Sequence, residues 1–174
     1  MSGQEITIHG SDGDFMGYLS LPQSGRGPGV VVIQEIFGVN RFVREVADWL
    51  ADQGYVALAP DLFWRIEPNV QLTDQSEAEW AKAFELYGKF DVAKGVADIG
   101  DTITQLRKHD ACSGKVGAVG YCLGGLLAYL TAARTYADAA VGYYGVSINE
   151  HLGEASKIQA PLMLHVAGKD QFVP

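Results

Sequence analysis

The sequence predicts an α/β fold with a mostly parallel central sheet flanked by helices. Continuous apolar runs, typical of strands buried on both faces, recur as PGVVVIQE, YVALAPDL, AAVGYYG and PLMLHVAG. Helical patterns separate these runs, and such alternation is typical of a parallel sheet covered on both faces. Because 174 residues lie within the usual size of one domain, we expect a single domain over residues 1–174.

The elements can be placed in order along the chain. EITIHG and FMGYLSLP should pair as an antiparallel hairpin, because SDGD between them is a turn cluster built around Asp-Gly. A first helix is expected over residues 40–53, capped by Asn40, with an apolar stripe made of Phe42, Val43, Val46, Trp49 and Leu50. Further helices are expected over residues 77–87 and 91–108, although Gly95 and Gly100 each weaken the last by roughly 1 kcal/mol.

The charge balance excludes two classes of partner. A formal net charge of −8 opposes binding to phosphate backbones or anionic lipid, so no nucleic acid is expected. The start MSGQEITIHG lacks a basic segment followed by an apolar run, and no window approaches the roughly 18 apolar residues of a membrane span. We therefore expect a cytoplasmic protein with no membrane partner, and the oligomeric state stays open.

The stretch KVGAVGYCLGGLLAYL passes from a strand pattern into a helical one at Cys122. The spacing G-Y-C-L-G fits the G-x-S-x-G nucleophile elbow, with Cys in place of Ser, and Gly120, Gly124 and Gly125 allow a tight turn. Open α/β sheets bind ligands at the carboxyl ends of their strands. This pattern predicts a nucleophilic Cys122, and the alternative is that the glycines merely aid helix packing.

The second cysteine, Cys112, precedes the same predicted strand in DACSGK. An extended strand would hold the two cysteines more than about 20 Å apart, which is too far for a disulfide. We interpret Cys112 as a bystander thiol.

Four segments stand in order along the chain: QEIFGVN at 34–40, GYCLGG at 120–125, GYYGV at 142–146 and GKDQFVP at 168–174. Together they resemble the dienelactone hydrolase family, whose carboxymethylenebutenolidase-like members have the α/β-hydrolase fold. The resemblance implies a hydrolase that opens a lactone or related carboxylic ester with a Cys, His, Asp triad through a cysteine thioester. It also implies that no metal and no organic cofactor takes part, and that the partner is a small-molecule lactone or ester.

The resemblance assigns catalytic roles by position. It implies that Cys122 is the nucleophile, that Asp170 orients the histidine, and that Glu35 contacts the resting thiol and helps to pass on its proton. The backbone N–H of Leu123, just after the nucleophile, is expected as one oxyanion donor, and the resemblance assigns Ile36 as the other. Alternatively, Glu35 caps its loop or pairs with a nearby arginine (Arg41 or Arg44), and Asp170 is an ordinary turn residue.

An apolar pocket for a small ring is also expected. Its walls would be Phe37, Phe84, Tyr87 and Tyr144, of which Tyr144 matches a pocket position of the family. Trp80 stands where typical members carry an arginine that helps to bind the lactone carboxylate. Arg65 either replaces that arginine from another angle or is an exposed loop residue. The adjacent pair Tyr143 and Tyr144 could instead be ordinary core aromatics.

The histidine of the triad is the departure from the family pattern. It should follow the acid in chain order, yet only QFVP follows Asp170. His9 lies in the hairpin, His109 at a helix end and His165 in an apolar strand where we expect a buried core imidazole, so His151 in the loop NEHLGEASK is the sole stand-in. Family members continue for several dozen residues with strands, a helix and the histidine. We therefore expect that the C-terminal part is missing, that the histidine lies beyond Pro174, and that PLMLHVAG is left as a sheet edge.

Two other functions compete with ester hydrolysis. One is a different thiol enzyme, because amidotransferase-like and deglycase-like folds also place a Cys on an elbow near a Glu. QEIFGVN and the Gly-Lys-Asp turn favour the hydrolase, and a crevice without a nearby Asp170 would reverse that order. The other is a catalytically impaired relative that only binds a ligand, which the missing histidine suggests.

Overall fold

A computed structural model describes residues 3–173, and its centre is one seven-stranded sheet. The strands are β1 (Gln4–Gly10), β2 (Gly13–Ser20), β3 (Gly27–Ile33), β4 (Val56–Pro60), β5 (Cys112–Tyr121), β6 (Ala140–Tyr143) and β7 (Leu162–His165). Their order in the sheet is β1-β2-β4-β3-β5-β6-β7. β1 with β2 and β2 with β4 are antiparallel, and the other neighbours are parallel. The mostly parallel sheet and the hairpin at its start are confirmed.

Four α-helices connect the strands: α1 (Arg41–Asp52), α2 (Glu77–Lys89), α3 (Val92–Lys108) and α4 (Leu123–Arg134). The first three begin after a polar cap, and each cap side chain accepts a hydrogen bond from the N–H three residues later. The caps are Asn40, Ser76 and Asp91. The three predicted helices are therefore confirmed to within two residues at each end, and α3 runs unbroken through both of its glycines. None of these helices is long and apolar enough to cross a membrane.

The apolar stripe predicted for α1 is wrong at two positions. Trp49 is 59% exposed and Phe42 is 40% exposed, whereas the buried residues are Val43, Ala47, Leu50 and Ala51. These buried residues lie on the side of α1 that packs against β2, β3 and β4. Phe42 instead packs edge-on against Tyr121, with ring centres 5.3 Å apart.

The helices cover the two faces of the sheet unequally. α3 and α4 pack on one face and bury the main apolar cluster, which includes Ile33, Ile99 and Leu126. α1 packs on the other face over β2, β3 and β4. On that second face the side chains of β5 and β6, such as Val119 and Tyr143, are only half-buried in the part of the chain that the structure describes.

The last strand, β7, confirms the expected sheet edge but not the burial on both faces that its apolar run predicts. Within residues 3–173 it pairs with β6 alone and forms an edge of the sheet. Met163 is 57% exposed and His165 is exposed as well, so the expected core imidazole is wrong. An apolar run in the sequence does not show whether a second element covers it, and here that second element is not among the described residues.

Two smaller differences concern the loops. NEHLGEASK was expected as a loop but belongs to a 3-10 helix, Ile148–Lys157. Cys112 was expected in a turn but is the buried first residue of β5. Both cysteines are free. Cys112 begins the ten-residue strand β5, and Cys122 follows its last residue.

Candidate active site

The register of the parallel strands brings three chain segments to one edge of the sheet. Ile33 at the end of β3 lies beside Gly120 in β5, and Tyr121 lies beside Tyr143 in β6. The residues that follow each strand, Glu35, Cys122 and Tyr144, therefore leave the sheet at the same place. Ligands of open α/β sheets bind at this position.

Cys122 sits in a backbone conformation that a residue with a side chain rarely adopts. Its φ is 55° and its ψ is −112°. The Cys122 N–H donates to the Tyr143 carbonyl at 3.0 Å, and the Cys122 carbonyl accepts from Gly125 N–H at 2.9 Å. The sharp bend thus turns β5 into α4 within one residue, as expected of a nucleophile elbow.

Close backbone contacts explain the glycines around the elbow. A Cβ at Gly120 would lie 1.9 Å from the Gly124 carbonyl oxygen. At Gly124 it would lie 2.5 Å from the Ile33 carbonyl oxygen and 2.6 Å from that of Gln34. The start of α4 is therefore pressed against the end of β3, and this packing sets the distance between Cys122 and the segment that carries Glu35.

Glu35 is held beside the elbow by its loop. The buried amide of Gln34 donates to the Glu35 carbonyl at 3.3 Å and accepts from the Leu62 N–H at 3.0 Å. One carboxylate oxygen of Glu35 accepts a hydrogen bond from the Tyr144 hydroxyl at 3.1 Å.

The alternative in which Glu35 pairs with an arginine is not what the structure shows. Arg41 pairs with Glu45 at 2.6 Å and Arg44 pairs with Glu5 at 2.7 Å. Within residues 3–173 Glu35 has neither of these arginines as a partner, and its carboxylate accepts from the Tyr144 hydroxyl instead.

The electrostatics at the elbow favour a neutral thiol at rest. Burial, followed by the negative charge of Glu35, raises the pKa of Cys122 from 9.0 to about 11, while the Leu123 N–H opposes this rise. Burial also raises the pKa of Glu35, and the Tyr144 hydroxyl partly offsets that effect. Burial and the Glu35 carboxylate together raise the pKa of the Tyr144 hydroxyl. The charge of Asp74 raises the pKa of Glu35 further, so that aspartate also lies close by.

Two backbone N–H groups were expected to form the oxyanion site. Leu123 is the first residue of α4, so its N–H has no carbonyl partner within the helix. Ile36 lies in the turn after β3. Within residues 3–173, neither N–H donates to a backbone or side-chain oxygen. The Leu123 N–H interacts with the Cys122 sulfur and lowers its pKa, and the oxyanion role of both groups stays a prediction.

Asp170 has a turn role and is also near the thiol. One of its carboxylate oxygens accepts from the N–H groups of Phe172 at 2.8 Å and Val173 at 3.2 Å. Its negative charge also contributes to the raised pKa of Cys122, so the two side chains lie within electrostatic range. The hydrogen bonds of Asp170 are those of a turn residue, and its role as the acid of a triad stays a prediction.

In the described part of the chain, the four histidines form no hydrogen bond with Cys122, Glu35 or Asp170, although the His165 carbonyl accepts from the Tyr144 N–H at 2.8 Å. His9 faces Asp14 at 3.0 Å in the hairpin, and His109 accepts from Ala111 N–H beyond α3. His165 stacks on Tyr143 with ring centres 4.3 Å apart. His151 lies in the 3-10 helix. Within residues 3–173, no hydrogen bond or ion pair joins a histidine to Cys122, Glu35 or Asp170.

Three of the expected pocket aromatics form a row. Trp80 meets Phe37 edge-on with ring centres 5.0 Å apart and lies 5.6 Å from Phe84. Phe37 follows Glu35 by two residues, so this row begins at the site. Tyr87 packs against the main core cluster instead. Tyr144 is not part of this row, and its hydroxyl donates to the carboxylate of Glu35.

Arg65 is committed to a structural role. Its guanidinium makes two hydrogen bonds with the buried Asp98, one of them at 2.9 Å, and another with Asp12. It also lies over the ring of Trp64. The expectation that Arg65 is either an exposed loop residue or a substrate ligand is therefore wrong, because its partner Asp98 is 33 residues away in sequence and no local pattern indicates it.

Sequence reasoning missed Gln34 and Asp74. Gln34 has no exposed surface, and a polar residue at the end of a buried apolar strand is a signal that could have indicated its anchoring role. Asp74 lies in the loop before α2, and nothing in the local sequence indicates that this loop folds back toward Glu35.

No group of three His, Cys, Asp or Glu side chains in residues 3–173 is arranged to hold a metal ion.

Comparison with known proteins agrees with this geometry. A model of the dienelactone hydrolase family matches residues 15–174. The chain belongs to the dienelactone hydrolase family. It is 44% identical over 175 aligned residues to the carboxymethylenebutenolidase of Pseudomonas putida, covering all of this chain and 74% of that protein. It is 41% identical to carboxymethylenebutenolidase 1 of Cupriavidus pinatubonensis over 171 residues, which is 98% of this chain and 73% of that protein.

Solved structures place this dienelactone hydrolase family member in the α/β-hydrolase fold. A dienelactone hydrolase-like promiscuous phosphotriesterase from metagenomic libraries aligns with a TM-score of 0.78 and 27% identity, covering all of this chain and 72% of that one. A dienelactone hydrolase of Anabaena variabilis aligns with a TM-score of 0.71 and 22% identity, covering 97% of this chain and 75% of that one, and this likeness concerns the fold alone.

Proposed function

We propose that this chain hydrolyses carboxylic esters, lactones included, through a thioester on Cys122. The observation that carries the proposal is the elbow itself: Cys122 has a φ of 55° at the end of a central strand. The family membership supports the same reaction, because the relatives with the highest similarity given above are carboxymethylenebutenolidases.

The first half-reaction needs a thiolate, an oxyanion site and a proton acceptor. A thiol with a pKa of about 11 is almost entirely protonated near neutral pH, so the proton must leave as sulfur attacks. Glu35 can take this proton, because burial raises the pKa of its carboxyl and makes it a better base than an exposed glutamate. The new S–C bond forms as the carbonyl oxygen becomes an oxyanion, which the N–H groups of Ile36 and Leu123 would bind.

The second half-reaction releases the acid. Collapse of the tetrahedral intermediate breaks the ester C–O bond, and the leaving oxygen takes up a proton. Water then attacks the thioester, returning the proton to sulfur and freeing the carboxylate. The family assigns activation of this water to a histidine oriented by Asp170, and the four histidines described above do not occupy that position.

A second candidate function is ligand binding with little turnover. The observation that favours it is the lack of any histidine contact to Cys122, Glu35 or Asp170 within residues 3–173. In this case the site would bind a lactone, or become acylated by it, without completing the cycle.

Hydrolysis of p-nitrophenyl acetate by wild type, Cys122→Ser and Cys112→Ser separates these functions. We expect steady turnover that is lost in Cys122→Ser and retained in Cys112→Ser, the matched control at the buried thiol. Release of one equivalent of nitrophenol per chain without further turnover would support the binding function. Equal turnover above the uncatalysed rate by wild type and Cys122→Ser would contradict both candidates.

A further inference from the structure

A buried carboxylate lies next to the site and plays no part in the proposed reaction. Asp61 follows β4 directly and is only 1% exposed. The parallel register of β3 and β4 pairs Val31 with Leu58, so three residues further on Gln34 and Asp61 leave the sheet side by side. Within residues 3–173, no lysine, arginine or histidine forms an ion pair with Asp61. A carboxylate is costly to bury without a cation, so its other partners must account for its presence.

The partners of Asp61 are backbone N–H groups of the loop that follows it. One carboxylate oxygen accepts from the Phe63 N–H at 3.1 Å and the other from the Asn69 N–H at 2.7 Å. Asn69 has a φ of 61°, in the left-handed region that residues with a side chain rarely adopt. Burial raises the pKa of Asp61, and these two N–H groups oppose the rise, as expected if they bind the charged form. Phe63 has no exposed surface, so residues 61–69 form a closed loop that is anchored in the core.

This loop holds the segment that carries Glu35. The Leu62 N–H donates to the side-chain oxygen of Gln34 at 3.0 Å. The side-chain nitrogen of Gln34 donates in turn to the Glu35 carbonyl at 3.3 Å. Gln34 has no exposed surface, so its side chain is shielded from water. Because Leu62 lies between Asp61 and Phe63, the hydrogen bonds of the Asp61 carboxylate set the direction of the Leu62 N–H.

The two segments are also joined further along the chain. The Leu72 N–H donates to the Phe37 carbonyl at 2.9 Å. Gly38 pairs with Gln71 in an isolated β-bridge. The segment that carries Glu35 is therefore held at both of its ends by the part of the chain that follows β4.

We propose that Asp61 is a positioning residue for Glu35. It acts through the N–H of Leu62 and the side chain of Gln34. Asp61 does not itself meet a substrate, because it is buried and both of its oxygens accept backbone hydrogen bonds. Its consequence for turnover rests on the proposed function, in which Glu35 takes the thiol proton, whereas its consequence for the thiol itself does not.

Alkylation of Cys122 by iodoacetamide at pH 8 reports the position of Glu35, because burial and then the Glu35 carboxylate raise the pKa of the thiol. Asp61→Asn leaves one oxygen for two N–H groups, and Gln34→Met removes both amide hydrogen bonds from a side chain of similar length. Each variant should let Glu35 move away from the thiol. Alkylation should become about threefold faster or more, since a thiol pKa lower by about 0.5 gives about three times as much thiolate at this pH.

The same substitutions in a Glu35→Gln background separate positioning from simple loosening of the site. If Asp61 acts through Glu35, the rate increase should disappear there, because the charge that had to be positioned is gone. An increase of equal size in both backgrounds, or an unchanged rate in both Asp61→Asn and Gln34→Met, would overturn the proposal. Asp138→Asn is the matched control, because that carboxylate accepts the Val116 N–H at 2.9 Å near the start of β5, away from the site. It should leave the rate unchanged, and an equal increase there would count against the proposal.

Ester turnover gives a readout of opposite sign. With p-nitrophenyl acetate, kcat should fall about tenfold in Asp61→Asn and Gln34→Met while KM changes by less than about twofold, because a misplaced proton acceptor affects the reacting state more than binding. A variant that is only less stable would not combine faster alkylation with slower turnover. The expected alkylation rates without ester turnover by the wild type would contradict the proposed hydrolase and support the positioning of Glu35. Unchanged alkylation rates with normal ester turnover would contradict the positioning role and leave the hydrolase supported.

Discussion

Replacing Glu35 by Gln tests whether the buried carboxylate controls the thiol. Glutamine has almost the same shape and can still accept the hydrogen bond from Tyr144, so the loop should keep its packing. What the change removes is one negative charge beside Cys122. Because that charge is the second largest cause of the raised thiol pKa, after burial, we expect Glu35→Gln to make Cys122 more acidic.

The size of the effect follows from the position of the thiol pKa. With a pKa of about 11, roughly 0.1% of the thiol is ionised at pH 8, against about 10% for a thiol at 9.0. If Glu35 accounts for on the order of one unit of this rise, alkylation of Cys122 between pH 7 and 9 becomes about tenfold faster in Glu35→Gln. Above pH 11 the two rates should converge, because both thiols are then ionised.

The assay is the rate of iodoacetamide modification of Cys122 at fixed pH values from 7 to 11, followed by peptide mass. Denaturant unfolding is measured in parallel, and we expect a change in stability of less than about 1 kcal/mol because no core contact is lost. Glu45→Gln on the outer surface of α1 is the matched control and should leave the profile unchanged. An unchanged or slower rate in Glu35→Gln would refute the reasoning.

Three further outcomes are expected. Gly124→Ala should lower the free energy of unfolding by about 3 kcal/mol in denaturant titrations, because its Cβ would lie 2.5 Å from a β3 carbonyl, whereas Gly153→Ala meets nothing within 4 Å and should have little effect. Mass spectrometry of the protein during turnover of p-nitrophenyl acetate should show an acetyl group on Cys122 as the intermediate whose hydrolysis limits the steady rate, and added imidazole should speed its removal, since within residues 3–173 no histidine hydrogen-bonds to the thiol; no acetyl group and no effect of imidazole would contradict this. The pKa of Cys122 is higher in the folded chain than its ordinary 9.0, so the unfolded chain ionises first and the free energy of unfolding falls as pH rises from 9 to about 11. In Cys122→Ala this fall should be smaller by up to about 2.7 kcal/mol. Identical profiles of unfolding free energy against pH for wild type and Cys122→Ala would show that the thiol does not cause the fall.

Local sequence patterns were sufficient where the physical cause is itself local. The cap at Asn40 and the ranges of the three helices depend on side-chain and backbone needs within a few residues, and these predictions are confirmed; the caps Ser76 and Asp91, which were not predicted, have the same local cause. The meeting of Glu35 with the elbow follows from the parallel register, because equal strand ends share one sheet edge.

The predictions that failed depended on contacts distant in sequence. The exposure of Phe42, Trp49 and His165 depends on which other elements cover them, and an apolar pattern does not reveal that. The prediction for Arg65 failed because its partner Asp98 lies in α3, 33 residues further along the chain. The approach of Asp74 to Glu35 depends on how a long loop folds back, and the loop has no repeating pattern that would predict its path.

The bend at position 122 is imposed by its surroundings, since the contacts of Gly120 and Gly124 and the hydrogen bond to Tyr143 involve only main-chain atoms. The side chain at this position therefore makes no contribution to its own placement. A hydroxyl or a carboxyl group could stand where the sulfur stands, with the same two N–H groups beside it. The backbone conformation at position 122 therefore does not depend on which side chain the residue carries. A single substitution there can change the reactive atom while the fold stays the same.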